Sequence, residues 1–113
     1  FYARDGKLSC HMYQRSADMF LGVPFNIASY SLLTHILAKI VDMDAHELII
    51  SYGDVHVYSN HLEQVNTQTE REPFEFPKIQ LSDAITNIDD ISSSDISIVN
   101  YTSHPVIKAQ MAV

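Results

Sequence analysis

The seventeen residues Gln14–Tyr30, QRSADMFLGVPFNIASY, hold the transition on which the fold turns. A segment with a two-residue alternation runs into them, and a segment with helical apolar spacing runs out. Upstream, Asp5-Gly6 separates Phe1–Arg4 from Lys7–Arg15. Gly accepts positive φ and Asp bonds to its own backbone, so the spacing predicts a hairpin. In its second arm Leu8, Cys10 and Met12 face one side, and Ser9, His11, Tyr13 and Arg15 the other, which puts Arg15 at the end of the polar face. Gly22 and Pro24 then interrupt the pattern, so Ser16–Phe25 is expected to be a loop or short turn. A long helix is expected from about Asn26 to Val41, with Leu32, Leu33, Ile36, Leu37, Ile40 and Val41 on one apolar face.

Beyond the helix, the polar run Asp42–Glu47 leads into a strand over Leu48–Tyr58. There Asp54, His56 and Tyr58 share one face, and Val55 and Val57 the other. Asn60 followed by Glu63 has the spacing of a capping box, which predicts a short helix over His61–Glu70. Pro73 and Pro77 keep the next stretch extended. Lys78–Leu81 and Asp95–Tyr101 read as strands, the second with Ile96 and Ile98 alternating against Ser97 and Val99. The acidic, Ser-rich Asp83–Ser94 between them reads as a loop with a helical turn, and His104–Val113 has no clear period. There is no internal repeat and no low-complexity linker, so residues 1–113 read as part of a single domain.

Composition bounds the function classes. The 113 residues are 46% hydrophobic and 19% charged, with a mean hydropathy of -0.04, the balance of a soluble, core-forming unit. No apolar run approaches the roughly 20 residues of a bilayer span, and no signal peptide is visible. The net charge of -7 argues against DNA and anionic membranes as partners and weakens the case for RNA. Charge is nonetheless uneven. Phe1–Ile40 carries Arg4, Lys7, Arg15 and Lys39 against Asp5 and Asp18, whereas Glu70–Asp95 carries Arg71 and Lys78 against seven carboxylates. A small anion would therefore be held by the first third. One cysteine, Cys10, allows no intrachain disulfide, and the expected compartment is the reducing cytoplasm. The chain opens on Phe1, inside an expected strand, and several apolar faces have no evident partner, so it is expected to be a piece of a longer protein.

Few residues carry chemistry by themselves. The six histidines lack clustered donors at zinc-type spacing, and metal binding is not expected. Strand parity sets Cys10 among Leu8 and Met12, as a small core residue rather than a nucleophile. No glycine-rich phosphate loop exists, but Arg15-Ser16 pairs a guanidinium with a hydroxyl beside a loop. Read alone, Arg15 is more often a surface ion-pairing residue. Asn26 is either a helix N-cap or an amide that reads a base edge with one donor and one acceptor. His56 and Tyr58 either bond a sugar hydroxyl or bond each other and water.

Two runs resolve these alternatives by likeness. Gln14–Tyr30 and Gly53–His61 (GDVHVYSNH) resemble the signature stretches of the C-terminal half of thymidylate synthases. The hairpin DGKLSC, the helix HLEQVNTQ and the terminal HPVIKAQMAV resemble that family in the same order, so the likeness covers essentially the whole chain. The resemblance implies reductive methylation of dUMP to dTMP, with methylenetetrahydrofolate as the one-carbon and hydride donor and no metal. It implies that Gln14, Arg15 and Ser16 contribute to the dUMP site, the last two holding the phosphate, and that Asn26 bonds O4 and N3 of the uracil. An amide suits uracil because it donates to the carbonyl and accepts from the ring N–H, whereas an aspartate suits cytosine. His56 and Tyr58 would bond the deoxyribose 3′-hydroxyl. Asp18, Leu21, Gly22 and Phe25 would line the folate pocket, with Asp18 near the pterin, while Ala112 and Val113 would close over it as a lid. Asn26 and Asp18 would assist catalysis without being the nucleophile.

The implied fold is α+β, a large mixed sheet backed by helices, with two subunits pairing through their sheet faces as a homodimer. The family's nucleophilic cysteine belongs to a Pro-Cys-His motif upstream of the strand that Phe1 opens, and Cys10-His11 is not its equivalent. This chain alone is therefore expected to be inactive. Gln110-Met111 departs from the family's commoner Pro-Val. Two rivals stand beside this reading: a dUMP or dCMP hydroxymethylase on the same fold, and a non-catalytic module that dimerises or complements an N-terminal piece.

Overall fold

The computed structural model describes residues 1–111; Ala112 and Val113, the expected lid, lie outside the described residues. The chain mixes strand and helix as expected. Strands β1 (Tyr2–Arg4) and β2 (Lys7–Asp18) form the hairpin, α1 (Val23–Ile40) follows, and β3 (Asp44–His56) returns to the sheet. A turn over Ser59–His61 leads to α2 (Leu62–Thr69), and β4 (Lys78–Leu81) pairs with β5 (Ile96–Val99). Among the described residues the sheets are small: a mixed three-stranded sheet in the order β1-β2-β3, and the two-stranded β4-β5.

The hairpin turn is as anticipated, with φ of 51° at Asp5 and 74° at Gly6, the left-handed pair that a two-residue connection requires. β2 is longer than the expected arm. It runs in parallel against β3 from Lys7↔Asp44 to Asp18↔His56, and this ladder draws residues 16–18, expected to be loop, into the strand. Helix α1 likewise starts three residues before the expected Asn26. Pro24 does not break it, because it occupies the first turn, where an absent N–H forfeits no intrahelical bond and the fixed φ already suits the helix.

At its far end, α1 closes on Asp42 in the left-handed region (φ 55°), with the Met43 N–H donating to the Ala38 carbonyl at 2.9 Å. The polar run Asp42–Glu47 is accordingly short as a connection. β3 begins at Asp44 rather than Leu48, pinned by the Asp44 N–H to the Gly6 carbonyl at 2.8 Å.

Burial around α1 differs from a single apolar stripe. Val23, Thr34, Ile36 and Ala38 are buried, while Val41 is half exposed. Thr34 is accommodated because its hydroxyl donates to the Tyr30 carbonyl at 2.7 Å. The helix packs on β2 and β3, whose inward positions supply Leu8, Cys10 and Ala17. Cys10 is a core residue, as expected. Along β2, Leu8 and Cys10 are buried at even positions, Ala17 at an odd one, and Ser16 is left exposed. Two further expectations fail. The Asn60/Glu63 capping box is absent, since His61 is the N-cap residue of α2 and no side chain caps it. β5 covers only Ile96–Val99, and Ile98 remains 61% exposed at a pocket that it lines with Ala28, Leu32 and His35 of α1.

Candidate functional site

A parallel β-α-β unit brings the carboxyl ends of its strands and the amino end of its helix to one side of the sheet, the usual place for a crevice. Here that side gathers Gln14–Asp18 at the end of β2, Gly22–Asn26 at the start of α1 and Asp54–Tyr58 at the end of β3. The ladder pairs Ser16 with Asp54 and Asp18 with His56, and the Met19 N–H donates to the His56 carbonyl at 3.0 Å. Two neighbouring segments and one distant in sequence are thus fixed together by backbone bonds.

The turn between β2 and α1 is organised by Asp18. Its Oδ1 accepts from the Phe20 N–H at 3.0 Å and the Leu21 N–H at 3.3 Å, and its carbonyl accepts from the Gly22 N–H at 3.1 Å. Among the described residues Oδ2 has no hydrogen-bond donor, so the carboxylate retains an acceptor for a ligand N–H. Space at Gly22 is tight: a Cβ there would lie 3.3 Å from the Asp18 carbonyl and 3.6 Å from Asn26 Oδ1. It is also the N-cap residue of α1, which places Asn26 inside the helix and removes the capping role as its explanation.

Asn26 is oriented by Gln14. Gln14 Nε2 donates to the Ser16 carbonyl at 3.0 Å, and a carbonyl only accepts, so this atom of Gln14 is the nitrogen. The same nitrogen donates to Asn26 at 3.0 Å, which makes the Asn26 atom facing it Oδ1. Asn26 Nδ2 is thereby turned away as a donor, beside an oxygen with a further lone pair. Gln14 Oε1 is buried without a partner. This orienting role was not readable in the sequence, because it needs a contact across twelve positions.

His56 and Tyr58 share a face as expected, their rings meeting edge to face with centroids 5.0 Å apart. Asp54 Oδ1 lies 3.6 Å from His56 Nδ1 on that face. Arg15 is exposed, and no carboxylate among the described residues pairs with it, contrary to the ion-pairing reading. Gly53 lies beside it. A Cβ at Gly53 would be 2.6 Å from the Tyr13 hydroxyl and 2.7 Å from the Arg15 carbonyl, so only glycine permits this approach of β3 to β2. Among the described residues neither Arg15 nor Ser16 makes a side-chain hydrogen bond to Asn26, and both stand at the end of β2. Leu21 is half-buried, whereas the Phe25 ring is 74% exposed and available for stacking. Among the described residues no three of His, Cys, Asp or Glu form a metal-holding group, and no helix is long and apolar enough to cross a membrane.

The profile of the thymidylate synthase family matches residues 1–113. The chain belongs to that family. It is 55% identical to the thymidylate synthase of Listeria innocua over all 113 residues, which cover 36% of that relative. The figures are 50% and 35% for the thymidylate synthase of Staphylococcus haemolyticus, and 55% and 36% for that of Listeria monocytogenes serovar 1/2a. The chain thus spans little more than a third of the length of these thymidylate synthases.

Proposed function

We propose that this chain is the C-terminal part of a single-domain thymidylate synthase of the cytoplasm, which methylates dUMP reductively to dTMP at the expense of methylenetetrahydrofolate. The observation that carries the reading is the Gln14–Asn26 hydrogen bond. With Oδ1 turned to Gln14, Asn26 offers a donor for O4 and an acceptor for N3–H, the pattern of a uracil edge. Arg15 and Ser16 supply the phosphate contact, favoured by a guanidinium with no competing carboxylate among the described residues. His56 and Tyr58 take the 3′-hydroxyl from their shared face.

The folate residues fit a fused, N–H-bearing ring system. Asp18 Oδ2 is a charged acceptor, Phe25 an exposed aromatic face, and Leu21 and Gly22 the narrow wall between them. When bound, the folate supplies the one-carbon unit and the hydride. The part of this chain is to orient the nucleotide, hold the pterin edge at Asp18 and, through Ala112 and Val113, exclude water. In the complete protein the sheet is larger and two subunits pair through it. The exposed Phe1, Tyr2, Tyr13 and Ile49 support this, since Phe1, Tyr2 and Ile49 line one open cleft of about 650 Å³ on the outer strands.

The test is tritium release from 5-tritiated dUMP in the presence of methylenetetrahydrofolate, with the product identified by mass. The full-length protein is expected to release tritium and form a methyl product, and the 113-residue chain alone to release none. A hydroxymethyl product, or turnover by the isolated chain, would overturn the proposal.

A further inference from the structure

Asp54 has a single charged neighbour among the described residues: its Oδ1 lies 3.6 Å from Nδ1 of His56, and no lysine or arginine pairs with it. The two residues stand two positions apart on β3, so the strand period turns both to one face, while Val55 between them turns to the other. Their backbones are held in place. The parallel ladder pairs Asp54 with Ser16 and His56 with Asp18, and the His56 carbonyl accepts from the Met19 N–H at 3.0 Å. Asp18, the carboxylate across the ladder from His56, has its Oδ1 engaged by the Phe20 and Leu21 N–H groups. Asp54 is therefore the carboxylate that faces the ring nitrogen.

That contact selects one form of the imidazole. An ionised carboxylate only accepts, so the neutral ring beside it carries its proton on Nδ1, and Nε2 is left with a lone pair. Among the described residues Nε2 of His56 has no hydrogen-bond partner, unlike Nε2 of His11, His61 and His104. The Tyr58 ring stands edge to face against the imidazole with centroids 5.0 Å apart, and solvent reaches both side chains. A hydroxyl bound there donates to Nε2 and accepts from the phenol O–H.

We infer that Asp54 is a positioning residue for the sugar: by holding the His56 proton on Nδ1 it makes Nε2 the acceptor of the 3′-hydroxyl, so the site demands a 3′-substituent that donates. The inference rests on the function proposed above and adds to it a requirement on the substrate. A free nucleotide meets that requirement, whereas an esterified 3′-oxygen within a DNA strand has no proton to give.

The test is binding of dUMP, its 3′-deoxy analogue and its 3′-fluoro analogue to the full-length protein at about pH 8.5, where an ordinary imidazole is neutral. Loss of one such hydrogen bond corresponds to roughly five- to tenfold in equilibrium, and both analogues are expected to bind more weakly than dUMP by that factor. In Asp54→Leu nothing holds the proton on Nδ1, and the preference for dUMP over the 3′-deoxy analogue should fall to about twofold. Asp54→Asn, whose amide oxygen still accepts from Nδ1–H, should retain most of it. A preference unchanged in a folded Asp54→Leu protein, with any loss of affinity shared equally by the two nucleotides, would overturn the inference. The wild-type protein gives an arm independent of variant folding: nitrogen-15 spectra should show a neutral His56 with its proton on Nδ1, and a proton on Nε2 would overturn the inference. A proton on Nδ1 with equal wild-type affinity for dUMP and its 3′-deoxy analogue would uphold the pair and remove the sugar contact proposed above.

Discussion

Gln14→Glu inverts the logic of the amide proposed to read the base, with the change of one atom. Gln14 Nε2 donates two hydrogen bonds of 3.0 Å, to the Ser16 carbonyl and to Asn26 Oδ1. A glutamate, ionised at neutral pH, only accepts. Against it the Asn26 amide is expected to turn over, so that Nδ2 faces residue 14 and Oδ1 faces the 4-position of the base. Asn26 then accepts from an exocyclic amine and donates to an unprotonated N3, which is the cytosine pattern. Two matched contacts to uracil become two mismatched ones. At about 1.4 kcal/mol each, within the usual cost of an unpaired buried group, discrimination for dUMP over dCMP should fall by about a hundredfold. Facing carboxylate and Ser16 carbonyl should also lower stability by about 2 kcal/mol, readable as a fall in Tm. The assay is equilibrium binding of both nucleotides to the full-length protein, with Gln14→Ala as a second variant that removes the orienting donor without favouring either amide orientation. A Gln14→Glu protein that folds and still prefers dUMP by the wild-type factor would refute the reasoning.

Asn26→Asp should move preference from dUMP toward dCMP by a more direct route, and unchanged discrimination in competition binding would remove Asn26 from the base edge. Arg15→Ala should weaken dUMP by roughly ten- to a hundredfold, as expected for a charge-assisted contact, while leaving deoxyuridine unaffected; calorimetry on both ligands separates the phosphate from the rest. Gly53→Ala forces a Cβ to within 2.6 Å of the Tyr13 hydroxyl and 2.7 Å of the Arg15 carbonyl, and should cost about 1–3 kcal/mol in denaturant unfolding. The carboxyls of Asp83, hydrogen-bonded to Lys39, and Asp95, hydrogen-bonded to Ser92, are held below their usual value of 3.8. Their contribution is therefore present above that pH and lost as pH falls through the lowered values, so melting at pH 3 against pH 5 should drop less in Asp83→Asn and Asp95→Asn than in wild type.

Local patterns were legible where local forces decide. Asp5-Gly6 forms its turn because two left-handed residues are a short-range requirement, and Cys10 is buried because strand parity left it no other side. Tertiary pairing decided the rest. Residues 16–18 look like loop beside Gly22 and Pro24, yet the parallel ladder to Asp54–His56 holds them in β2. Asp44 to Glu47 look like a connection, yet pairing with Lys7–Ser9 makes them strand, since an outer strand pays little for polar side chains that face water. Ile98 alternates as though toward a core, yet α1 covers it only in part and it stays 61% exposed.

The same distinction separates two kinds of site residue. Arg15, Ser16, Asn26, His56 and Tyr58 bear polar groups suited to a small anionic ligand, so their residue types mark them as candidates before any coordinates are known, whereas Asp18 is named only through the family resemblance. Gln14 and His61 carry roles that residue type does not mark, because each acts on a group brought to it by the fold: an amide twelve positions away, and a carbonyl forty-nine positions away. Each also keeps one buried polar atom without a partner, Gln14 Oε1 and His61 Nδ1. A residue selected for burial alone would be an apolar one of similar size, since an unpaired buried acceptor works against stability. What each side chain returns is a single hydrogen bond whose direction matters, with the donor toward Asn26 in one case and toward Gln110 in the other. That asymmetry is why Gln14→Glu is the decisive substitution at position 14, for it preserves size and reverses only the direction.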